Sequence, residues 1–175
     1  MKPRPFLLGD HSVRTEETAA VHNPYDGALI AEVCMAGAKE IGEALDLAAC
    51  TFKEARQTEP VERSRLLRRI ADTIGRRTDE FVELLIAEAG KPVALATIEV
   101  QRAQSTFELA AAGALEPNGH PIEMGATPAG AGHSGLARRF PLGVILGITP
   151  FNFPLNLVAH KVAPCLATGN TMILK

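Results

Sequence analysis

Asn152 stands between an apolar run, Val144–Ile148, and a helix-like stretch that starts near Pro154. An amide at such a corner can point its NH2 into the crevice that open α/β sheets keep outside the carboxyl ends of their strands. The same residue also reads as a simple N-cap, its side-chain oxygen accepting a backbone N–H of the helix that follows. The two roles are compatible. Lys175 closes a second apolar run, Thr171–Leu174, and on its own reads as a solvated strand terminus. Arg102 offers a guanidinium fork that suits a carboxylate or phosphate, or is an ordinary exposed helix arginine. Cys165 is the tempting nucleophile, yet it falls in the middle of an apolar helical stretch. There a cysteine behaves as a small hydrophobe.

Two further patterns carry less. Gly130-Ala-Gly132-His-Ser-Gly135 spells a dinucleotide-loop signature, which needs a buried strand before it and a helix after it. Gly and Pro precede it here, and Leu136-Ala-Arg-Arg-Phe-Pro141 cannot open a long helix, so the run reads as a flexible turn. Arg63, Arg65, Arg68, Arg69, Arg76 and Arg77 interleave with Glu62, Asp72, Asp79 and Glu80, the mark of a solvated mixed face. The five histidines have no metal-ligand spacing, and His160 reads as structural. No metal site is expected.

The elements that must position these residues fall into three textures. Residues 1–37 read as short strands and turns, with a strong turn at Asn23-Pro24-Tyr25-Asp26-Gly27 and a strand over Ala28–Cys34. Residues 39–115 are helical. Ile41, Ala44, Leu45, Ala48 and Phe52 form a first stripe; Leu66, Leu67, Ile70 and Ile74 form a second, after a start at Thr58 and Pro60. Phe81, Leu84 and Leu85 form a third behind a Thr78 cap, stopped by Gly90-Lys91-Pro92. Ala96, Val100, Ala103, Phe107, Ala111 and Ala114 form a fourth. Residues 116–140 are dense in Gly and Pro, with strands expected at Ile122–Met124 and Leu136–Phe140, and read as a projecting β-hairpin or arm. Residues 141–175 read as strand, helix (Pro154–Thr168) and strand, half of a parallel α/β unit. The helix has a wide apolar face of Leu155, Val158, Ala159, Val162, Ala163 and Leu166. Two parallel strands cannot close a core of their own, so the sequence reads as interrupted at Lys175.

Composition narrows the function classes. Apolar residues are 46% and charged residues 22%, with a net charge of −2, so neither disorder nor attraction to nucleic acid or anionic membrane is expected. No apolar run approaches the ~20 residues of a membrane span, and the N-terminus lacks the apolar core of a signal peptide. Cys34, Cys50 and Cys165 are widely spaced, which fits a reducing, cytoplasmic setting.

The run Pro141-Leu-Gly-Val, then Pro150-Phe-Asn-Phe-Pro154, then Lys161, Pro164, Gly169-Asn170-Thr171 and Lys175 resembles the aldehyde dehydrogenase superfamily. Asn23-Pro24-x-x-Gly27, Glu88-x-Gly90-Lys91-Pro92 and Glu99-Val100 agree more weakly. Cys165 departs from the usual Ala, a small-for-small change. The resemblance implies an α/β fold: the N-terminal part of an aldehyde dehydrogenase, with an incomplete Rossmann-like parallel sheet, a helical layer and a projecting β-arm. It divides the chain into strands and helices of the cofactor domain (1–115), an oligomerisation arm (116–140) and the start of the NAD(P)-binding unit (141–175). It implies NAD or NADP as cofactor and a homo-oligomer, dimer or tetramer.

By the same resemblance, Asn152 is the side-chain donor to the oxyanion of the adduct between a cysteine thiolate and the aldehyde, and Lys175 contacts the adenosine ribose. Ile148, Thr149, Pro150, Phe151 and Asn152 line the cofactor cleft, and Arg102 binds an anionic substrate group. Phe151 stands where many members have Trp, which points to small aldehydes such as lactaldehyde, glyceraldehyde phosphate or semialdehydes. The family's nucleophilic Cys and general-base Glu are not found in these residues, so the chain alone is expected to be inactive. The alternative is a non-enzymatic fragment acting only as a cofactor-domain or oligomerisation module.

Overall fold

The computed structural model describes residues 2–175. Two antiparallel pairs lead, β1 (Phe6–Leu8) with β2 (His11–Val13) and β3 (Thr18–His22) with β4 (Leu29–Cys34). The expected turn joins the second pair. Asn23 Oδ1 accepts the Tyr25 N–H and Asp26 Oδ1 accepts the Ala28 N–H, each at 2.9 Å, so the two side chains stand in for a backbone turn.

Four helices follow: α1 (Ala38–Ala55), α2 (Pro60–Arg76), α3 (Thr78–Ala89) and α4 (Val93–Gly113). Gly90 ends α3 in the left-handed region at φ 63°, which costs a glycine little. The core is built on α4, whose whole expected stripe, Ala96 through Ala114, is buried. Leu67, Ala71 and Ile74 of α2 and Val82 and Leu85 of α3 meet it. Alanines dominate the contact, so the helices approach closely and packing replaces bulk.

Several stripes need correction. Leu66 and Leu84 are each 40% exposed, because α2 buries Ser64, Leu67, Ala71 and Ile74 while α3 buries Val82 and Leu85; each leucine sits one residue off its core face. On α1 only Ala48 is buried, and Ile41 and Leu45 are 50% exposed. This helix lies against a sheet of just two strands, which covers only a strip of it. α2 starts at the expected Pro60, with Glu59 in the cap position, and the expected cap Thr78 lies inside α3, donating its hydroxyl to the Gly75 carbonyl at 2.8 Å.

The Gly- and Pro-rich segment forms an antiparallel hairpin, β5 (Gly119–Glu123) with β6 (Ser134–Arg138). Its strands lie a few residues N-terminal of the expected ones. Asn118 closes the open end, its amide donating to the Arg139 carbonyl at 2.5 Å. Gly130–His133 lies in the hairpin loop and Ser134-Gly135 opens β6, with no helix after the run. A Cβ on Gly130 would fall 1.8 Å from the Met124 carbonyl oxygen, so a close backbone approach is what requires that glycine.

β7 (Val144–Gly147), α5 (Asn156–Ala167) and β8 (Thr171–Leu174) complete the chain. β7 and β8 pair in parallel from Val144 with Thr171 to Gly147 with Leu174. Ala159, Ala163 and Ala167 of α5 join the core on α4. Asn170, itself buried, accepts the Gly143 N–H at 2.9 Å and clips the end of the crossover to the start of β7. The fold is α/β, with the parallel pair seated beside the helical layer.

Candidate active site

Beyond Gly147 the parallel ladder continues for one more step. The Lys175 N–H donates to the Gly147 carbonyl at 2.8 Å, and the Thr149 N–H donates to the Lys175 carbonyl at 3.0 Å. Thr149 Oγ1 reaches the same carbonyl at 3.2 Å. Thr149 and Lys175, read separately in the sequence, are therefore held side by side at the carboxyl ends of β7 and β8.

The chain then turns through Pro150, Phe151 and Asn152 before α5. Helix α5 starts at Asn156, not at Pro154, and its cap position is Leu155, which has no capping side chain. The N-cap role for Asn152 is thus corrected: the residue stands outside the helix, exposed, and its side chain makes no hydrogen bond among the described residues.

The cap comes from elsewhere. Glu99 of α4, 1% exposed, accepts the Leu155 N–H at 3.0 Å and the Asn156 N–H at 3.1 Å through Oε1. Its other oxygen accepts from the Lys91 ammonium. Lys91 Nζ also lies 3.7 Å from the centroid of the Phe153 ring, a cation–π contact. Asn152 consequently sits on a short span anchored on both sides, at Thr149 by Lys175 and at residues 153–156 by Lys91 and Glu99.

The surface around it is open. Ile148 is 61% and Phe151 89% exposed, and Pro150 and Lys175 are exposed as well. The ledge offers apolar side chains, an amide and an ammonium beside the ends of two parallel strands. Arg102 lies on α4 one turn beyond Glu99, exposed, with no side-chain hydrogen bond or ion pair among the described residues. It shares the helix that anchors the Asn152 loop but does not touch that loop's polar anchors.

Sequence reading assigned no role to Glu99, Lys91 or Asn170, although all three lie in motifs it quoted. A signal for Glu99 was present. Its spacing from Ala96 and Ala103 sets it on the apolar stripe of α4, and a carboxylate there is almost never buried without a partner. Arg63 also leaves the solvated face, its Nε donating to the Ala167 carbonyl at the end of α5 at 2.9 Å.

The remaining candidates lie apart from this site. Cys34 and Cys165 are buried thiols and Cys50 is exposed. Cys165 donates its S–H to the Thr171 carbonyl at 3.6 Å, and burial pushes its thiol above the ordinary cysteine value, the reverse of what activates a nucleophile. His160 is exposed. On the surface, Arg77 hydrogen-bonds Glu80 and by that bond draws its carboxyl down, a local pair of little energetic weight. A cleft of about 600 Å³ at the base of the hairpin is lined by Arg56, Arg63, Asn118, Arg138 and Arg139, and no residue of the Asn152 loop lines it. Among the described residues no group of three or more His, Cys, Asp and Glu could hold a metal ion, and no helix is long and apolar enough to cross a membrane.

The sequence model of the aldehyde dehydrogenase family matches residues 12–175. The chain belongs to the aldehyde dehydrogenase family. Among similar proteins are the lactaldehyde dehydrogenase of Methanocaldococcus jannaschii, 37% identical over 90% of this chain and 33% of its own length, and the 3-sulfolactaldehyde dehydrogenase of Priestia megaterium, 34% identical over 92% and 33%. The chain spans about a third of the length of these curated relatives.

Solved structures of the family superpose closely. Aldehyde dehydrogenase 21 from Physcomitrella patens, in complex with the reaction product succinate, aligns with a TM-score of 0.93 at 32% identity, over 100% of this chain and 37% of its own. The NADP-dependent glyceraldehyde-3-phosphate dehydrogenase from Bacillus halodurans, complexed with NADP, aligns at 0.93 and 31% identity, over 99% and 37%. This fold, strands and helices included, is part of the aldehyde dehydrogenase fold.

Proposed function

We propose that this aldehyde dehydrogenase chain carries part of the active site of an NAD(P)-dependent enzyme that oxidises a small anionic or hydroxylated aldehyde to its carboxylate. The observation that carries the reading is the placement of Asn152. Its amide is exposed at the carboxyl end of a parallel strand pair, on a span pinned at both ends and with no partner for its side chain among the described residues. When a nucleophile adds to an aldehyde, the carbonyl oxygen becomes an oxyanion, and a donor already fixed in place stabilises it without reorganising. Asn152 supplies one such N–H. A single donor of this kind contributes about 3–4 kcal/mol to the transition state.

The cofactor fits the residues at hand. The strand ends present an apolar ledge, Ile148 with Pro150 and Phe151, beside the Lys175 ammonium, which suits the hydroxyls of a ribose; Thr149 fixes that lysine's backbone. NAD or NADP, when bound, accepts the hydride that the aldehyde carbon gives up. Relatives named for lactaldehyde and 3-sulfolactaldehyde support a small polar substrate, and Arg102 is the cation we assign to its anionic group.

Residues 116–140, which hold the β5–β6 hairpin, expose Ile122, Met124, Leu136 and Phe140, and such side chains support its use as an arm between subunits of a homo-oligomer. Residues 1–115 and 141–175 then belong to the cofactor-binding part of the enzyme on either side of that arm. Three free thiols accord with a cytoplasmic setting.

The test is Asn152→Ala in the whole enzyme. The variant should lose about 10²–10³ in kcat for aldehyde oxidation while binding NAD(P)+ as before. A kcat close to that of the parent would remove Asn152 from the oxyanion role.

A further inference from the structure

We propose that Glu99, with Lys91 as its counter-charge, is a positioning residue that sets where Asn152 stands relative to α4. The inference rests on the oxyanion role proposed for Asn152 and extends it to residues that touch neither substrate nor cofactor.

A carboxylate with no exposed surface is costly to keep, and an apolar residue of similar volume would fill the α4 stripe without that cost. Glu99 uses both oxygens. Oε1 takes two backbone N–H groups, from Leu155 and Asn156, and Oε2 takes the Lys91 ammonium. Helices ordinarily satisfy their first N–H groups with a local Ser, Thr, Asp or Asn. Here Leu155 occupies the cap position, so the cap arrives from a helix 56 residues upstream. A local cap would steady α5 alone. This one fixes the entry to α5 against α4.

Lys91 adds a second grip. Its ammonium lies over the ring of Phe153, the residue directly after Asn152. One ion pair therefore holds residues 153, 155 and 156 together. The Asn152 side chain makes no hydrogen bond among the described residues, so its direction is inherited from the backbone that these contacts set. Oxyanion donors act over a narrow range of about 2.7–3.1 Å, and a shift near 1 Å in a positioned group can cost about 10² in rate.

The test is a kinetic cycle in the whole enzyme. Glu99→Ala, Glu99→Gln and Lys91→Met are each made with Asn152 intact and with Asn152→Ala, and kcat, aldehyde KM and cofactor Kd are measured. With Asn152 present, Glu99→Ala should lower kcat by about 10–100-fold with cofactor Kd unchanged. Glu99→Gln, which keeps an acceptor for the two N–H groups, should recover most of it. On the Asn152→Ala background the Glu99 and Lys91 changes should lower kcat by less than about 3-fold, since residues acting as a unit are non-additive.

Should Glu99→Ala fail to fold, Lys91→Met carries the same cycle, its kcat falling with Asn152 present and staying within about 3-fold on the Asn152→Ala background. Equal losses on both backgrounds would overturn the proposal, because Glu99 would then act without Asn152. If Asn152→Ala is impaired while all Glu99 and Lys91 variants keep full kcat, the positioning role alone falls. If Asn152→Ala itself keeps its kcat, the oxyanion reading falls and this inference with it.

Discussion

Lys91 and Glu99, eight residues apart across the start of α4, form an ion pair whose side chains are 12% and 0% exposed. Removing one member of such a pair leaves the other buried without compensation, at about 3–5 kcal/mol, whereas neutralising both is far milder. Lys91→Met should therefore lose about 3–5 kcal/mol of stability in chemical denaturation. Adding Glu99→Gln to it should raise the midpoint again, since the amide oxygen still accepts from Leu155 and Asn156. Additive losses in the double variant would show that the pair is not coupled.

Lys175 divides its work between backbone and side chain. Its carbonyl holds Thr149 and its N–H holds Gly147, while its ammonium is exposed. Lys175→Ala keeps the first and deletes the second. Cofactor Kd should rise about 10–100-fold, the equivalent of one hydrogen bond to a charged group at about 1.5–3 kcal/mol. At saturating cofactor kcat should change little, and so should stability, since the deleted atoms are solvated. An unchanged Kd in cofactor titration would return Lys175 to a plain strand terminus.

Burial raises the Cys165 thiol above its ordinary value, so at a given pH less of it is the thiolate that alkylating reagents attack. In the native protein at neutral pH, iodoacetamide should modify exposed Cys50 and spare Cys165 and Cys34. The sign for stability follows. The neutral buried thiol is tolerated below the unfolded cysteine's pKa of about 8.5, and stability is lost as pH rises beyond it, because the unfolded thiol ionises first. Fast native-state labelling of Cys165 would contradict this. So would aldehyde turnover by the isolated 175-residue chain that a Cys165→Ser change abolishes.

How far the fold could be read depended on where the physics is local. The α4 stripe was legible in full, because a helix central to the core buries its whole apolar face and the 3.6 period shows it. The stripes of α1, α2 and α3 were read less well: Ile41, Leu45, Leu66 and Leu84 satisfy the period but face away from the core, and which neighbour covers a helix is a tertiary fact. The strand–helix–strand of residues 144–174 was legible from its short connections. The start of α5 was misread by two residues because its cap, Glu99, is remote in sequence. The candidate site divides the same way. Asn152, Thr149 and Lys175 were named through a motif, and of these Thr149 and Lys175 are held side by side, while Lys91 and Glu99 were quoted without a role because pairing across α4 has no local signature.

The role proposed for Arg102 bears on substrate charge. It is exposed on α4 one turn beyond Glu99 and makes no ion pair among the described residues, so its guanidinium is available for a carboxylate, sulfonate or phosphate on the aldehyde. If it binds that group equally in the ground and transition states, Arg102→Ala should raise KM for anionic aldehydes with kcat little changed, the mark of uniform binding. The loss should be about 1.5–3 kcal/mol, the range for a hydrogen bond to a charged group. A neutral aldehyde such as propanal never uses that charge, and its kcat/KM should stay as it was. Stability should move by less than about 0.5 kcal/mol, as for other solvated positions. The decisive measurement is kcat/KM for one anionic and one neutral aldehyde of similar size in both proteins. An equal fall for both would mean that Arg102 acts on the shape of α4 and through it on the Asn152 loop. The proposed preference for an anionic aldehyde would then lose the cation assigned to it.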